Sequence, residues 1–166
     1  MNAWSQRPVE EQRLLNPSFC SLLIWHAASG YKREAATKIS MPYAEAFLVL
    51  PAVLHAETRA LLPKNIRTSL ASWIGENPVA RAIIADRARS LVPFTKEAIL
   101  FGALQGILHL SGSAITSDAM WRTRISSLHP DSAEVQSCYS RSTFVGRWFA
   151  RTGDVETVFA LFGVRP

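Results

Sequence analysis

Apolar and polar positions along this chain recur mostly at helical intervals, with punctuation that divides them into short segments. Asn16-Pro17 supplies an N-cap followed by proline at the first helical position, and Phe19, Leu22, Leu23 and His26 continue the pattern until Gly30, which reads as the stop. Residues 32–40 read as a polar connection. Met41-Pro42 opens a second helical stretch, YAEAFLVLPAVLHAETRALL, which Pro51 should kink or divide and Pro63 should end. Thr68 is the expected cap of a short helix bearing Leu70, Trp73 and Ile74, stopped by Gly75. Asn77-Pro78 repeats the start signal for a helix to about Leu91, and Pro93 should break it.

Thr95 is then the expected cap of TKEAILFGALQGILHL, which is apolar almost all round and is predicted to be the central buried helix. Its Gly102 and Gly106 form a GxxxG spacing that predicts close packing of another helix rather than a membrane dimer. ILHLSGSAIT, around residues 107–116, is the one convincing hairpin signal. Pro130-Asp131 starts a long helix to about Arg151, with Val135, Cys138, Tyr139, Val145, Trp148 and Phe149 on one stripe. Gly153-Asp154 breaks and recaps the chain, and a last helix carries Val155, Val158, Phe159 and Phe162 to Gly163. The fold class expected is mainly α: a single compact helical domain over residues 1–166, with 1–8 flexible and one short β-hairpin. The order helix 78–91, helix 95–108, hairpin makes its central part winged-helix-like.

Composition sharpens this picture in one respect. Apolar residues make up 48% of the chain and charged residues only 19%, with five Trp and eight Phe. A soluble domain usually carries about a quarter charged residues, so this one is short of charge to cover itself, which favours large interfaces with partners. The net charge of +5 and pI of about 9.7 permit contact with acidic surfaces or nucleic acid without demanding it. The basic residues are scattered in ones and twos, as at Lys32-Arg33, Arg87 and Arg89, and Arg122 and Arg124. Cys20 and Cys138 lie far apart without a CxxC, so no disulfide framework or zinc knuckle is expected and a reducing cytoplasm fits. The start, MNAWSQRPVEEQ, has carboxylates where a signal peptide would need an apolar segment, and Ala98–Leu110 is too short for the roughly 20 residues that span a bilayer. The expectation is a cytoplasmic protein without a membrane span.

A search for chemistry finds little. Nothing matches the GxxxxGK[ST] that would hold nucleotide phosphates, nor GxSxG, nor HExxH. His55-Ala56-Glu57 has the first half of a zinc deaminase motif, but the PCxxC half is missing, so a helix-surface pair is the reading. Cys20 and His26 are six residues apart on one helix and point to different faces, which disfavours a dyad. His109 and His129 have no acidic or cysteine companions at ligand spacing. Asp86, Asp118, Asp131 and Asp154 sit singly, where a two-metal nuclease would need a close acidic pair. The expectation is a chain that is not an enzyme, with no catalytic, metal or cofactor residues. Major-groove reading is also disfavoured, because the would-be recognition helix presents Ile99, Leu100, Phe101 and Leu104 rather than polar side chains.

Taken together, NPSFCSLLIW (16–25), FLVLPAVLH (47–55), the Trp73-Ile74 helix end, FTKEAILFG (94–102), GRWFA (146–150) and LFGVRP (161–166) resemble the middle component of three-component ABC-ATPase systems. That family includes the small accessory subunit of Lamassu-type anti-phage defence complexes. The resemblance runs over nearly the whole chain from about residue 8, and its specificity lies in the co-occurrence of these segments. It implies a non-catalytic adaptor that binds an SMC-like ABC ATPase and an effector subunit, often a nuclease, with DNA contacted through the complex and at most weakly by this chain. The alternative from the residues alone is a DNA-binding module of winged-helix type.

Trp and Arg are enriched where binding energy concentrates, and Trp73, Arg147, Arg151, Gly163 and Arg165 are the candidate partner-binding residues. Arg147 and Arg151 share a helix face, and Gly163 and Arg165 belong to the segment beyond the last helix. The two C-terminal apolar stripes, with Trp148 and Phe149 on one and Val158, Phe159 and Phe162 on the other, are expected to close the domain's own core.

Overall fold

Helix α1 (Pro17–Glu34) runs through the middle of the molecule, with ten of its eighteen residues buried. The computed structural model describes residues 7–9, 12, 15–35, 40–127 and 130–165. After α1 the order is β1 (Met41–Pro42), α2 (Ala46–Leu54), α3 (Ala56–Leu61), α4 (Leu70–Glu76), α5 (Pro78–Ser90) and α6 (Val92–Leu104). Then come β2 (Leu108–Ser111), β3 (Ala114–Ser117), α7 (Trp121–Ser126), α8 (Ala133–Thr152) and α9 (Val155–Phe162). The fold is mainly α, with one small three-stranded antiparallel sheet in the order β1-β3-β2.

Several starts and stops are where the punctuation puts them. Asn16 caps α1 by accepting from the backbone N–H of Ser18 and Phe19 at 2.9 and 3.4 Å, and Asp154 caps α9 in the same way, whereas α8 begins after the expected Pro130-Asp131, with Ser132 as its cap. Ser69, not Thr68, caps α4. Strands β2 and β3 form the expected hairpin, Leu110 opposite Ile115, around a two-residue loop in which Gly112 has φ +56°.

Other expectations are corrected. Gly30 does not end α1, which continues to Glu34. It lies buried where α1 crosses α8, and a Cβ there would sit 2.2 Å from the Thr143 carbonyl oxygen. Gly146 of α8 plays the reciprocal part, its Cβ direction pointing at the carbonyl oxygen of Ala27, 1.9 Å away. Two backbones meet directly there, which only glycine permits. The GxxxG of α6 works differently: Gly102 packs against Leu108 and Ser21, whereas Gly106 lies beyond the helix in a left-handed turn.

The central buried helix is therefore α1, because it is sandwiched between α8 and α6 with the sheet against it. Helix α6 is peripheral, leaving Leu100 60% and Leu104 75% exposed. Met41-Pro42 opens no helix but adds an edge strand to β3, Met41 opposite Ile115, an edge position where proline's missing N–H is tolerated. Pro51 stays inside α2, and the division falls at His55, whose Nδ1 accepts from the Thr58 N–H at 3.3 Å. Pro93 sits in the first turn of α6, with the break from α5 at Leu91. The short helix α7 had no sequence signal. Of the segment 1–8 expected to be flexible, residues 1–6 lie outside the described residues. Arg7 is buried, forks onto Glu97 at 2.9 and 3.2 Å, and lies over the Phe94 ring.

The C-terminal helices close this domain's own core. Trp148 donates to the Thr68 carbonyl at 2.7 Å and meets Trp73 edge-on at 5.4 Å, while Phe149 and Phe162 pack edge-to-face at 6.2 Å. Val158, Phe159 and Phe162 are all buried.

Candidate functional site

The five candidate partner-binding residues separate by environment. Trp73 is only 3% exposed and donates its indole N–H to the Leu61 carbonyl at 2.8 Å, so it is a core residue and presents no surface. Arg147 and Arg151 share a face and close on one carboxylate, Glu34 at the end of α1, with contacts of 2.8 to 2.9 Å. Hydrogen bonds from Arg151, then Arg147, hold the Glu34 carboxyl below the usual range. The pair thus ties α8 to α1 while keeping its outer edges in solvent.

Gly163 and Arg165 lead to a concavity beside the end of α9. Gly163, with φ +71°, donates to the Ala160 carbonyl at 3.0 Å, and the Val164 N–H reaches back to the Phe159 carbonyl at 3.1 Å. This pairing ends α9 and folds Val164 against Phe159. A side chain at Gly163 would strike the guanidinium of Arg81, which donates to the Leu161 carbonyl at 2.9 Å and pins the helix end to α5.

Four pieces of chain now meet around a groove of about 590 Å³. The β1–α2 junction contributes Tyr43 and Phe47, whose rings pack edge-on at 5.3 Å, with Tyr43 held by its N–H to the Ser113 carbonyl of the hairpin loop at 2.7 Å. The break at Leu91 lets α5 and α6 contribute Ala88 and Val92, and α9 adds Phe159 and Val164. Around this apolar floor stand Arg89, Lys96 and Arg165, and the lining includes no carboxylate. Arg89 has an exposed partner in Asp86 at 2.9 Å. The volume falls in the range of ligand sites. The groove thus combines an apolar floor with a rim of one charge sign.

Cys20 is buried, and burial is the main cause that pushes its thiol up to about 12, far from the thiolate form needed for nucleophilic attack. His26 stacks on Tyr139 at 4.7 Å and is brought down to about 4, chiefly by burial and then by Arg33. His55 is a helix cap and not a surface partner of Glu57. His109 does have an acidic neighbour, contrary to expectation: its Nε2 lies 2.5 Å from the Asp118 carboxylate, because the hairpin carries both residues to its open end. His129 lies outside the described residues. No group of three or more His, Cys, Asp or Glu able to hold a metal occurs among the described residues, and no described helix is long and apolar enough to cross a membrane.

Of the residues lining the groove, Gly163 and Arg165 are candidates from the sequence, whereas Phe47, Arg89, Val92 and Lys96 are not. The one available signal was Lys96 four residues after Val92, a cation set into an otherwise apolar ridge. Against known proteins, the family model described as ABC-three component (ABC-3C) system Middle Component 3 matches residues 4–166. No curated protein and no solved structure matches.

Proposed function

The chain belongs to the Middle Component 3 family of ABC-three component systems, and from that premise we infer that it is a non-catalytic adaptor of a bacterial anti-phage complex. In this reading it binds an SMC-like ABC ATPase and couples it to an effector subunit of nuclease type, as in Lamassu systems. The observation that carries the reading is the groove: an exposed apolar floor bounded by cations on a charge-poor chain, a surface that a protein partner would cover. Arg165 and Gly163 at its edge, and Arg147 and Arg151 on the outer face of α8, are the residues proposed for contact. DNA is reached through the ATPase.

Co-expression with the genes that neighbour it, followed by purification through a tag on this chain, tests the reading. Recovery of a stoichiometric complex with the ATPase is the expected result; recovery of a stable solitary chain from cells that make both partners overturns it. The succession α5, α6, hairpin favours a second reading, a DNA-binding module of winged-helix type. The outer face of α6, with Leu100 and Leu104 in solvent, is poor for reading base edges. Affinity for DNA that falls steeply with salt would revive that reading, because phosphate contacts release counterions.

A further inference from the structure

The groove does not end at its own rim. Val92 and Lys96 line it from α6, and Leu100 and Leu104 follow on the next two turns of the same i, i+4 ridge. Those two leucines are 60% and 75% exposed. From Val92 to Leu104 the ridge runs about 18 Å along the helix axis. One apolar track thus starts in the pocket between α2, α6 and α9 and continues over the outer surface of α6. Its charged neighbours at the pocket end, Arg89, Lys96 and Arg165, are all cations, and among the described residues neither Lys96 nor Arg165 has an ion-pair partner.

We propose that this track is the seat of an acidic amphipathic helix supplied by a partner chain, its apolar side chains entering the groove and lying along the α6 ridge while its carboxylates meet Lys96 and Arg165. Charge complementarity selects acidic over basic segments, because a basic helix would face Lys96 and Arg165, which have no ion-pair partner among the described residues, in a groove whose lining includes no carboxylate. The length of the track selects a helix over a small anionic amphiphile such as a fatty acid. A compact ligand would fill the pocket and leave Leu100 and Leu104 in water, whereas a helix of about 16 residues spans about 24 Å and covers both. The inference rests on the adaptor reading only for the statement that the helix belongs to a protein component.

The test uses the full chain and two fluorescein-labelled peptides of about 16 residues. Both carry Leu and Phe at helical i, i+3, i+4 and i+7 spacing; one has Glu on its flanks and the other has Gln at the same places. Fluorescence anisotropy should show saturable binding of the Glu peptide, weakening as salt rises because exposed charges are screened, and binding of the Gln peptide at least about tenfold weaker. The Lys96→Glu, Arg165→Glu double variant should lose about tenfold for the Glu peptide and little for the Gln peptide. Leu104→Glu should weaken both.

Equal affinity for the two peptides, no saturable binding, or binding untouched by the double variant overturns the proposal. So does laurate displacing the peptide at a site that Leu104→Glu leaves unaffected, which would assign the pocket to a fatty acid. Co-purification separates the two readings. A complex that survives the double variant keeps the adaptor and removes the track as its seat. Peptide binding in a chain that captures no ATPase keeps the track and removes the adaptor.

Discussion

Replacing Gly146 by alanine puts the architecture to its most direct test. In an isolated helix the change should stabilise by about 1 kcal/mol, since glycine is the poorest ordinary helix former. Here the new methyl would lie 1.9 Å from the Ala27 carbonyl oxygen and 2.6 Å from its carbon, both backbone atoms that cannot swing aside. Restoring an ordinary separation of about 3.4 Å requires α1 and α8 to part by roughly 1.5 Å at this point, and a gap of even about 0.5–1 Å forfeits about a quarter to a half of each contact across the seam. Overpacking of this kind costs typically about 1–3 kcal/mol and sometimes more. Because the clash is with main-chain atoms of the central helix, the gross cost should lie at or beyond the top of that range, about 3–4 kcal/mol, leaving a net loss of about 2–3 kcal/mol after the helical gain. At about 2–4 °C per kcal/mol for a chain of this size, thermal unfolding followed by circular dichroism should show a midpoint about 4–12 °C lower. Gly75→Ala is the matched control. It lies in α4 with nothing within 4 Å of its Cβ position, and it should raise stability by about 0.5–1 kcal/mol. Gly30→Ala, whose Cβ would meet Thr143, should cost about as much as Gly146→Ala. The double variant should cost less than the sum, since helices already apart admit the second methyl more easily. A Gly146→Ala midpoint at or above wild type would refute the backbone-to-backbone crossing.

Two further perturbations follow from the same structure. Glu34→Gln releases Arg147 and Arg151, whose side chains are 40% and 52% exposed, so the loss at neutral pH should be modest, on the order of 1 kcal/mol after solvent screening. Because the folded carboxyl is held below its ordinary value of 4.5, the stabilisation is full above that pH and is lost as acid carries it through the lowered value. Urea titrations of wild type and variant should therefore differ at pH 7 and converge in acid. Truncation after Thr152 removes Val158, Phe159 and Phe162 from the core and should abolish the cooperative thermal transition rather than merely weaken partner capture. Phe162→Ala alone should cost about 3–5 kcal/mol; a truncated chain that melts like the full one would show α9 to be an appendage.

Helices were legible at Asn16-Pro17, at Asn77-Pro78 and at Asp154 with Gly163, where a start or stop signal stood beside an apolar period, whereas Thr95, expected as a cap, lies inside α6. The errors share a cause: each depended on what lay opposite in space. Gly30 looks like a stop until α8 is set against it, and Met41-Pro42 looks like a helix entry until β3 offers it an edge. Helix α6 looks buried because its own pattern cannot show that α1 has taken the centre. In the groove, Gly163 and Arg165 were recognisable as a terminal signature. Phe47, Arg89, Val92 and Lys96 were not, because they come from three other segments that converge only after folding. Trp73 misled for the opposite reason: its type marks binding hot spots, but α8 brought Trp148 over it.

The crossing of α1 with α8 also sets the order in which the chain can be completed. About 100 residues separate the end of one helix from the start of the other, so on a ribosome adding about 5–20 residues per second the second follows the first by about 5–20 s. Throughout that interval the helix made first, with Leu23, Ile24, Trp25 and Tyr31 destined for full burial, has no α8 to cover it. Contacts between distant segments are slow to form, and nascent chains in this condition are the ones that aggregate or recruit chaperones. The close glycine seam that locks the finished subunit is thereby also the reason its core remains open until synthesis is nearly over.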